Sequence, residues 1–414
     1  MAIHSERLNN HIYEQSAIGK IAETGICRPA HSAEEKQVFQ LAAGWMTEAG
    51  MTVKIDNFGN LIGTYPGTEP GLPVLMMGSH LDTQPYGGRF DGIAGVLGAI
   101  EVVKTLHDNN IKPKRTIQVV SFADEEGWRF NKGLYGSRGI LGKLEPDEEA
   151  RKDANGISRR EALESFGCNL SEQSKDVYAP GSIHCFLELH IEQGPVLEAL
   201  EQPVGIVSGI SGPLWLTVTF KGVAGHTGSV PMHMRNDALL GAAEVIVAIN
   251  KIATQEPGSP TVGTCGSLNV FPNSRNIIPE EVVFTLDLRD IEQSRRDKYE
   301  AQLRVIIEEV TEKHGLTYTI SEDTNSEPRY CAQWMKDIIR EESEALGVEN
   351  IPELMSGPFH DSLPLSYACD YAMIFIRSKA GISHNPKEYS SPEDIALGAD
   401  LLYKTVYRIL QQDI

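Results

Sequence analysis

Val74-Leu75-Met76-Met77-Gly78-Ser79-His80-Leu81-Asp82 begins as a four-residue apolar run and ends in a glycine and a polar loop. A short uncharged run closed by a turn former reads as a buried strand feeding a loop. Upstream, Val38, Leu41, Trp45 and Met46 fall at helical spacing within residues 33–49, with Gly50 as a stop. Downstream, residues 92–107 read as a helix. Ile117 to Phe122 is a second β-rich run and ends at Ala123-Asp124-Glu125-Glu126-Gly127. Residues 145–180 read as polar and helical, with a break at 153–156. A third strand follows at Phe186-Leu187-Glu188-Leu189-His190-Ile191-Glu192. Strand–helix alternation with loops at the strand ends predicts an α/β sheet, and such sheets bind ligands at their carboxyl ends.

From Leu214 to about residue 325 the texture changes. Leu214 to Phe220 alternates as a strand, and 235–255 reads as a helix. Val262 to Val270 and Val282 to Leu288 read as strands. Tyr299, Leu303, Ile306, Ile307 and Val310 mark a helix, and Leu316 to Ile320 a last strand. That β-α-β-β-α-β order is the ferredoxin-like one. The α/β texture returns at Met373 to Ile376 and in a closing helix over 392–411. A small α+β domain, 213–328, is therefore expected to interrupt a larger α/β domain made of 1–212 and 329–414.

The balance of 37 basic against 57 acidic residues, net −20, disfavours nucleic acid and anionic membrane as partners. It leaves room for a small anionic substrate met by a local arginine. No apolar run approaches the ~18 residues of a membrane span, and the first sixteen residues show no signal-peptide core. Six cysteines without CxxC spacing suggest reduced thiols and a cytoplasmic protein.

Several polar groups sit where the strands end. His80 follows a buried strand, and Asp82 is placed to orient its imidazole through the second ring nitrogen. Asp91, after Gly87-Gly88, has two oxygens with which to bridge two cations. His80 alone reads more readily as a surface imidazole. Three carboxylates in a row at Asp124-Glu125-Glu126 repel unless cations or solvent compensate. They suit a metal ligand beside a general base, and also a solvated acidic turn. In the third strand Leu187, Leu189 and Ile191 share one face and Glu188, His190 and Glu192 the other. This fits a strand bordering a site, or an edge strand with a wet face. His360 and His384 lie in turn-rich loops. In the small domain His226 sits in Gly225-His226-Thr227-Gly228-Ser229 and Asn276 in Asn273-Ser274-Arg275-Asn276. Arg289 ends a strand, where a guanidinium can clamp a carboxylate.

Together GSHLDT, DG, DEEG, ELHIEQGP, GHTGS with PM, PNSRNIIP, HDS and GISHNP resemble the M20-type dinuclear metallohydrolases. More narrowly they resemble the branch holding N-carbamoyl-L-amino-acid hydrolases, allantoate amidohydrolases and β-ureidopropionases. The likeness covers nearly the whole chain. It implies a mixed-sheet metallohydrolase domain with an inserted ferredoxin-like lid and dimerisation domain. It implies two divalent metal ions per subunit, zinc first, with manganese, cobalt or nickel also suited. The ligands would be His80, bridging Asp91, Glu126, His190 and His384, with Glu125 as general base. Gln193, Asn276 and Arg289 would bind the substrate carboxylate end. His226 and His360 would stabilise the transition state, His226 from across a homodimer. A histidine at 190, where peptidase members usually carry a carboxylate, points to cleavage of a ureido bond in an N-carbamoyl-L-amino acid. Allantoate or N-carbamoyl-β-alanine are the alternatives, and a dipeptidase or aminoacylase the remote one. The chain departs from the family pattern at Val230 and at Pro358-Phe359, both pocket positions, which leaves the substrate open.

Overall fold

The computed structural model describes residues 2–412. Its contacts divide into two compact units. One runs up to Ser208 and resumes over Cys331–Leu354 and from Phe359 onward; the other is Gly209–Tyr330 with Met355–Pro358. In chain order the first unit supplies helix α1 (Ala33–Glu48), strands β1 (Thr52–Ile55), β2 (Leu61–Tyr65) and β3 (Val74–His80), helix α2 (Ile93–Asp108), and strands β4 (Ile117–Phe122), β5 (Ile183–Ile191) and β6 (Val204–Ile210). The second unit follows as β7 (Gly212–Lys221), α3 (Ala238–Ala253), β8 (Val262–Thr264), β9 (Leu268–Phe271), β10 (Glu281–Asp290), α4 (Gln293–His314) and β11 (Thr317–Asn325). The chain then returns through β12 (Asp370–Ile376) and α5 (Pro392–Gln411).

Among the described residues the larger sheet has nine strands: seven run in the order β6-β12-β5-β3-β4-β2-β1, and two short ones, Arg329–Tyr330 and Glu353–Ser356, pair with β6. Strands β12, β5, β3 and β4 are mutually parallel. Strands β6, β2 and β1 join antiparallel, so the sheet is mixed. Because the four parallel strands point the same way, their carboxyl ends deliver His80, the loop after Phe122, His190 and the loop after Ile376 to one edge. Helix α2 packs on β3 and β5 with its glycines toward them: a side chain at Gly95 would come within 2.2 Å of the Leu189 carbonyl oxygen.

Strand β5 has both edges paired, to β12 and to β3. The edge-strand reading of its alternation therefore fails. Leu187, Leu189 and Ile191 are buried on one face, and Glu188 and His190 are equally buried on the other. Glu188 is satisfied there by the Ser79 hydroxyl (2.7 Å) and by the Ser362 amide and hydroxyl (3.0 and 2.7 Å).

In the second unit the antiparallel order is β8-β10-β7-β11, with β9 also on β10. Leu214, Leu216, Val218 and Phe220 of β7 alternate into a core closed by residues of α3 and α4. The strand expected over 262–270 is broken. Thr264 pairs with Asp287 and Leu268 with Phe284, so four steps on one side match three on the other. The extra residue is absorbed as an irregularity around Gly266. The helical reading of 145–180 is also corrected: only Arg159–Phe166 is α-helix, with single 3-10 turns at Glu148–Ala150 and Leu170–Lys175. Pro146, Gly156 and Gly167 punctuate this stretch. The buried Arg159 guanidinium anchors it, pairing with Asp124 at 2.7 Å and Glu148 at 2.6 Å.

Candidate metal centre

Asp91 is the hub of the site. Its Oδ1 lies 3.4 Å from His80 Nε2 and 3.1 Å from His190 Nε2. Its Oδ2 lies 3.3 Å from His384 Nε2, which is itself 3.5 Å from Glu126 Oε2. Two clusters thus share one carboxylate, His80–Asp91–His190 and Asp91–Glu126–His384, each with donor atoms close enough for one ion. The first is wholly buried, whereas the His384 side chain is 49% exposed. Glu125 Oε2 stands 3.7 Å from His80 Nε2.

Tautomers settle what this arrangement fits. His80 Nδ1 meets the Asp82 carbonyl at 3.0 Å and His190 Nδ1 the Ile191 carbonyl at 2.9 Å. A carbonyl oxygen only accepts, so both Nδ1 atoms carry a hydrogen, and each Nε2, when its own proton is off, presents a lone pair. On His190 the Gly92 amide donates to that lone pair at 3.2 Å. Lone pairs of imidazole and carboxylate facing one another repel unless a cation sits between them. The donor set therefore fits a divalent metal with N and O ligands.

The local field says the same. Burial disfavours charge on His80, yet Glu125, Asp91 and Asp82 carry its pKa well above the ordinary value. His190 rises too, against its burial, because of Asp91. His384 is pushed up to about 9, chiefly by its contact with Asp91. Glu126 is raised to about 7 by burial and then by Asp91. Burial, opposed by His80 but reinforced by Glu126, Asp361 and Asp82, holds Glu125 well above the usual carboxylate range. A site that holds protons this firmly on imidazoles would hold a metal cation in their place.

Supporting contacts fix the donors. The Asp82 carboxylate is 3.6 Å from His80 Nδ1. The closer imidazole contact is to its carbonyl, and the carboxylate instead accepts the Glu125 and Glu126 amides, each at 3.3 Å. This corrects the expectation that the carboxylate orients the ring. Gln84 donates to both oxygens of Glu126, at 3.1 and 2.7 Å. Gly92 has φ +67°, and a Cβ there would meet the His80 ring at 2.4 Å. Gln193 donates to Asp91 Oδ2 at 2.8 Å. The His360 ring lies 4.4 Å from the His190 ring, and burial, then His190, drives its pKa well down. Gln84, Ser383, Glu188 and Glu388 were not singled out as site residues from sequence. Ser383 and Glu388 do flank His384 in the same loop.

The remaining expected residues belong to the second unit. His226 and Asn276 lie in adjoining exposed loops, joined by the Thr227 amide on the Asn276 carbonyl at 3.1 Å and by a bridge between His226 and Ile277. Arg289 is near the far end of β10. Its fork is occupied by Asp287, Nε at 2.9 Å and Nη2 at 2.8 Å, and Nη1 donates to the Gly357 carbonyl at 2.8 Å.

The fold and the donor set define an α/β protein with histidine–carboxylate groups that could hold metal at its parallel strand ends. Residues 76–408 match the family described as peptidase family M20/M25/M40, and the chain belongs to that metal-dependent family. It is 42% identical over 410 residues to an N-carbamoyl-L-amino-acid amidohydrolase of Pseudomonas sp. (strain NS671), covering 99% of each chain. A ureidoglycolate hydrolase of Arabidopsis thaliana is 35% identical over 99% of this chain and 87% of its own. Among solved structures, an amidase of the hydantoinase/carbamoylase family from Burkholderia multivorans superposes with a TM-score of 0.92 at 34% identity, covering 100% of this chain and 99% of the other. The expected branch of the family, that of amidases and carbamoylases, is therefore the right one. Among the described residues no helix is long and apolar enough to cross a membrane.

Proposed function

We propose that this protein is an amidohydrolase that cleaves the carbamoyl C–N bond of an N-carbamoyl-L-amino acid. One water is consumed, and the amino acid, ammonia and carbon dioxide are released. The observation that carries the reading is the two-sided use of Asp91, with Oδ1 toward His80 and His190, Oδ2 toward His384, and Glu125 alongside. The substrate class rests on the Pseudomonas relative, matched along its length.

His80, Asp91 and His190 would hold one divalent cation, and Asp91, Glu126 and His384 a second. Zinc suits these donors first, and manganese, cobalt or nickel also suit them. Bound there, such cations would supply Lewis acidity for a water and for the ureido carbonyl. Glu125 takes the proton of the attacking water and returns it to the departing nitrogen. His360, kept neutral by burial and by His190, donates an N–H to the oxygen that gains charge, a contact typically worth about 3 kcal/mol. Gln193, already donating beside His384, is read as a contact for the substrate's polar end.

Arg289 and Asn276 cannot reach one substrate carboxylate from the same chain. Glu281 to Arg289 alone spans roughly 25 Å of extended strand, and Asn276 precedes it. The reading is therefore a homodimer through the inserted lid domain, 213–328, in which one substrate is met by Arg289 of one chain and by His226 and Asn276 of the other. The scattered, unpaired cysteines support a cytoplasmic location in this reading.

The test is ammonia release from N-carbamoyl-L-amino acids, N-carbamoyl-β-alanine, allantoate and ureidoglycolate. The protein is first stripped of metal and then reloaded with zinc, manganese, cobalt or nickel in turn. The N-carbamoyl-L-amino acids should give the highest kcat/KM with at least one metal. A higher value for allantoate, ureidoglycolate or the β-alanine derivative would move the substrate assignment there. No turnover of any of the four would remove the amidohydrolase reading.

A further inference from the structure

Asp91 and His384 are far apart in sequence, yet one buried carboxylate holds both of their loops. Glu388, 2% exposed, accepts through Oε1 from the amides of Phe90 (3.0 Å) and Asp91 (3.1 Å). Through Oε2 it accepts the Ser383 hydroxyl at 2.9 Å. Ser383 Oγ is in turn 3.1 Å from Asp91 Oδ2 and 3.2 Å from the Gln193 amide nitrogen. Both Glu388 oxygens are spent on these donors, so the residue is not a further ligand. Space for it exists only because residue 88 is glycine: a Cβ at Gly88 would lie 2.2 Å from Glu388 Oε1.

The geometry points to Glu388 as a positioning residue that staples the Asp91 loop to the His384 loop and so builds the half-exposed cation position, Asp91–Glu126–His384. The buried position, His80–Asp91–His190, draws its two histidines from β3 and β5, whose pairing with neighbouring strands holds them without Glu388. This rests on the two-cation reading above. One backbone carries Asp91 for both positions, but only the second needs the distance between the two loops to be right. Loss of a supporting contact of this kind typically costs 10–100-fold in metal affinity.

The experiment is calorimetric titration of the metal-free full chain with zinc, alongside a thermal melt of each metal-free variant. Wild type should take up two equivalents. Glu388→Ala should weaken the looser one by about 10–100-fold and leave the tighter within about threefold. Gly88→Ala, which pushes the carboxylate out while keeping it in the chain, should do the same. Glu388→Gln keeps an acceptor for the two amides, and Ser383 can turn its oxygen to the new NH2, so it should stay within about threefold of wild type at both. If wild type binds fewer than two equivalents, the two-cation reading fails and this inference with it. If wild type binds two and both Glu388→Ala and Gly88→Ala leave the looser equivalent unchanged, only the Glu388 assignment falls. Equal weakening of both equivalents, or a lowered melt in place of a selective loss, would also overturn it.

Discussion

Glu125 and Glu126 are neighbours in sequence with different surroundings. Glu126 is gripped by both donors of Gln84 and faces His384. Glu125 faces His80 and has its pKa held high by burial and by the nearby carboxylates. Glu125→Gln should therefore keep its metal while kcat falls by at least about 10²-fold, the usual loss with a general base. Glu126→Gln should lose metal first, read as metal content after gel filtration. The opposite pattern would exchange the two roles. The five ligand candidates came as a set from the family resemblance; read singly, only His80 and the acids after Phe122 carried the local signal of a polar group at the end of an apolar strand. Glu388 and Gln84 were not, since what they do depends on amides and side chains brought near only by the fold. Asp82 was legible as a supporting residue, but not that its carbonyl would be the group on the ring.

At the scale of elements, close approach does much of the positioning. The α2 helix can lie against β5 because residue 95 has no side chain; a Cβ there would also sit 2.8 Å from the Ser79 Cβ. Gly95→Ala raises intrinsic helix propensity by up to about 1 kcal/mol. It should nonetheless destabilise the fold by about 1–3 kcal/mol, because the added methyl has no room. Urea unfolding measures the balance, and a variant as stable as wild type would show that α2 can shift without cost. The strands were readable because alternation and apolar runs repeat over few residues. The stretch 145–180 was not. Its order comes from Arg159 reaching Asp124 and Glu148, and polar composition alone looks the same in an exposed helix. The break between β8 and β9 was equally hidden, since one surplus residue is defined only against the register of β10.

At the scale of the molecule, all five candidate ligands belong to the first unit and none to the second. Metal should therefore stabilise the two units unequally. An ion at 100 times its dissociation constant adds about 2.7 kcal/mol to the state that binds it. Calorimetry of metal-loaded and chelator-treated protein should raise one transition by several degrees and leave the other nearly in place. Limited proteolysis would identify which unit each transition reports. A uniform rise of a single transition would mean that the units unfold together. The change in strand texture after Leu214 is what predicts a sheet-bearing part and an interrupting α+β part; surface chemistry that governs association is not encoded in periodicity.

Strand β5 lies between β3, made before it, and β12, whose first residue follows Ile191 by about 180 positions. During synthesis at about 5–20 residues per second, roughly 10 to 35 seconds pass between the two. Over that interval the ribosome is producing the whole inserted unit. One flank of β5, with its row of free amides and carbonyls, has nothing to pair with, and Glu188 has the Ser79 hydroxyl but not yet its partners at Ser362. Ser362, which later quenches Glu188, emerges only at the close of this period, and His384 later still. The nascent chain thus has a waiting time during which it is adhesive and lacks His384.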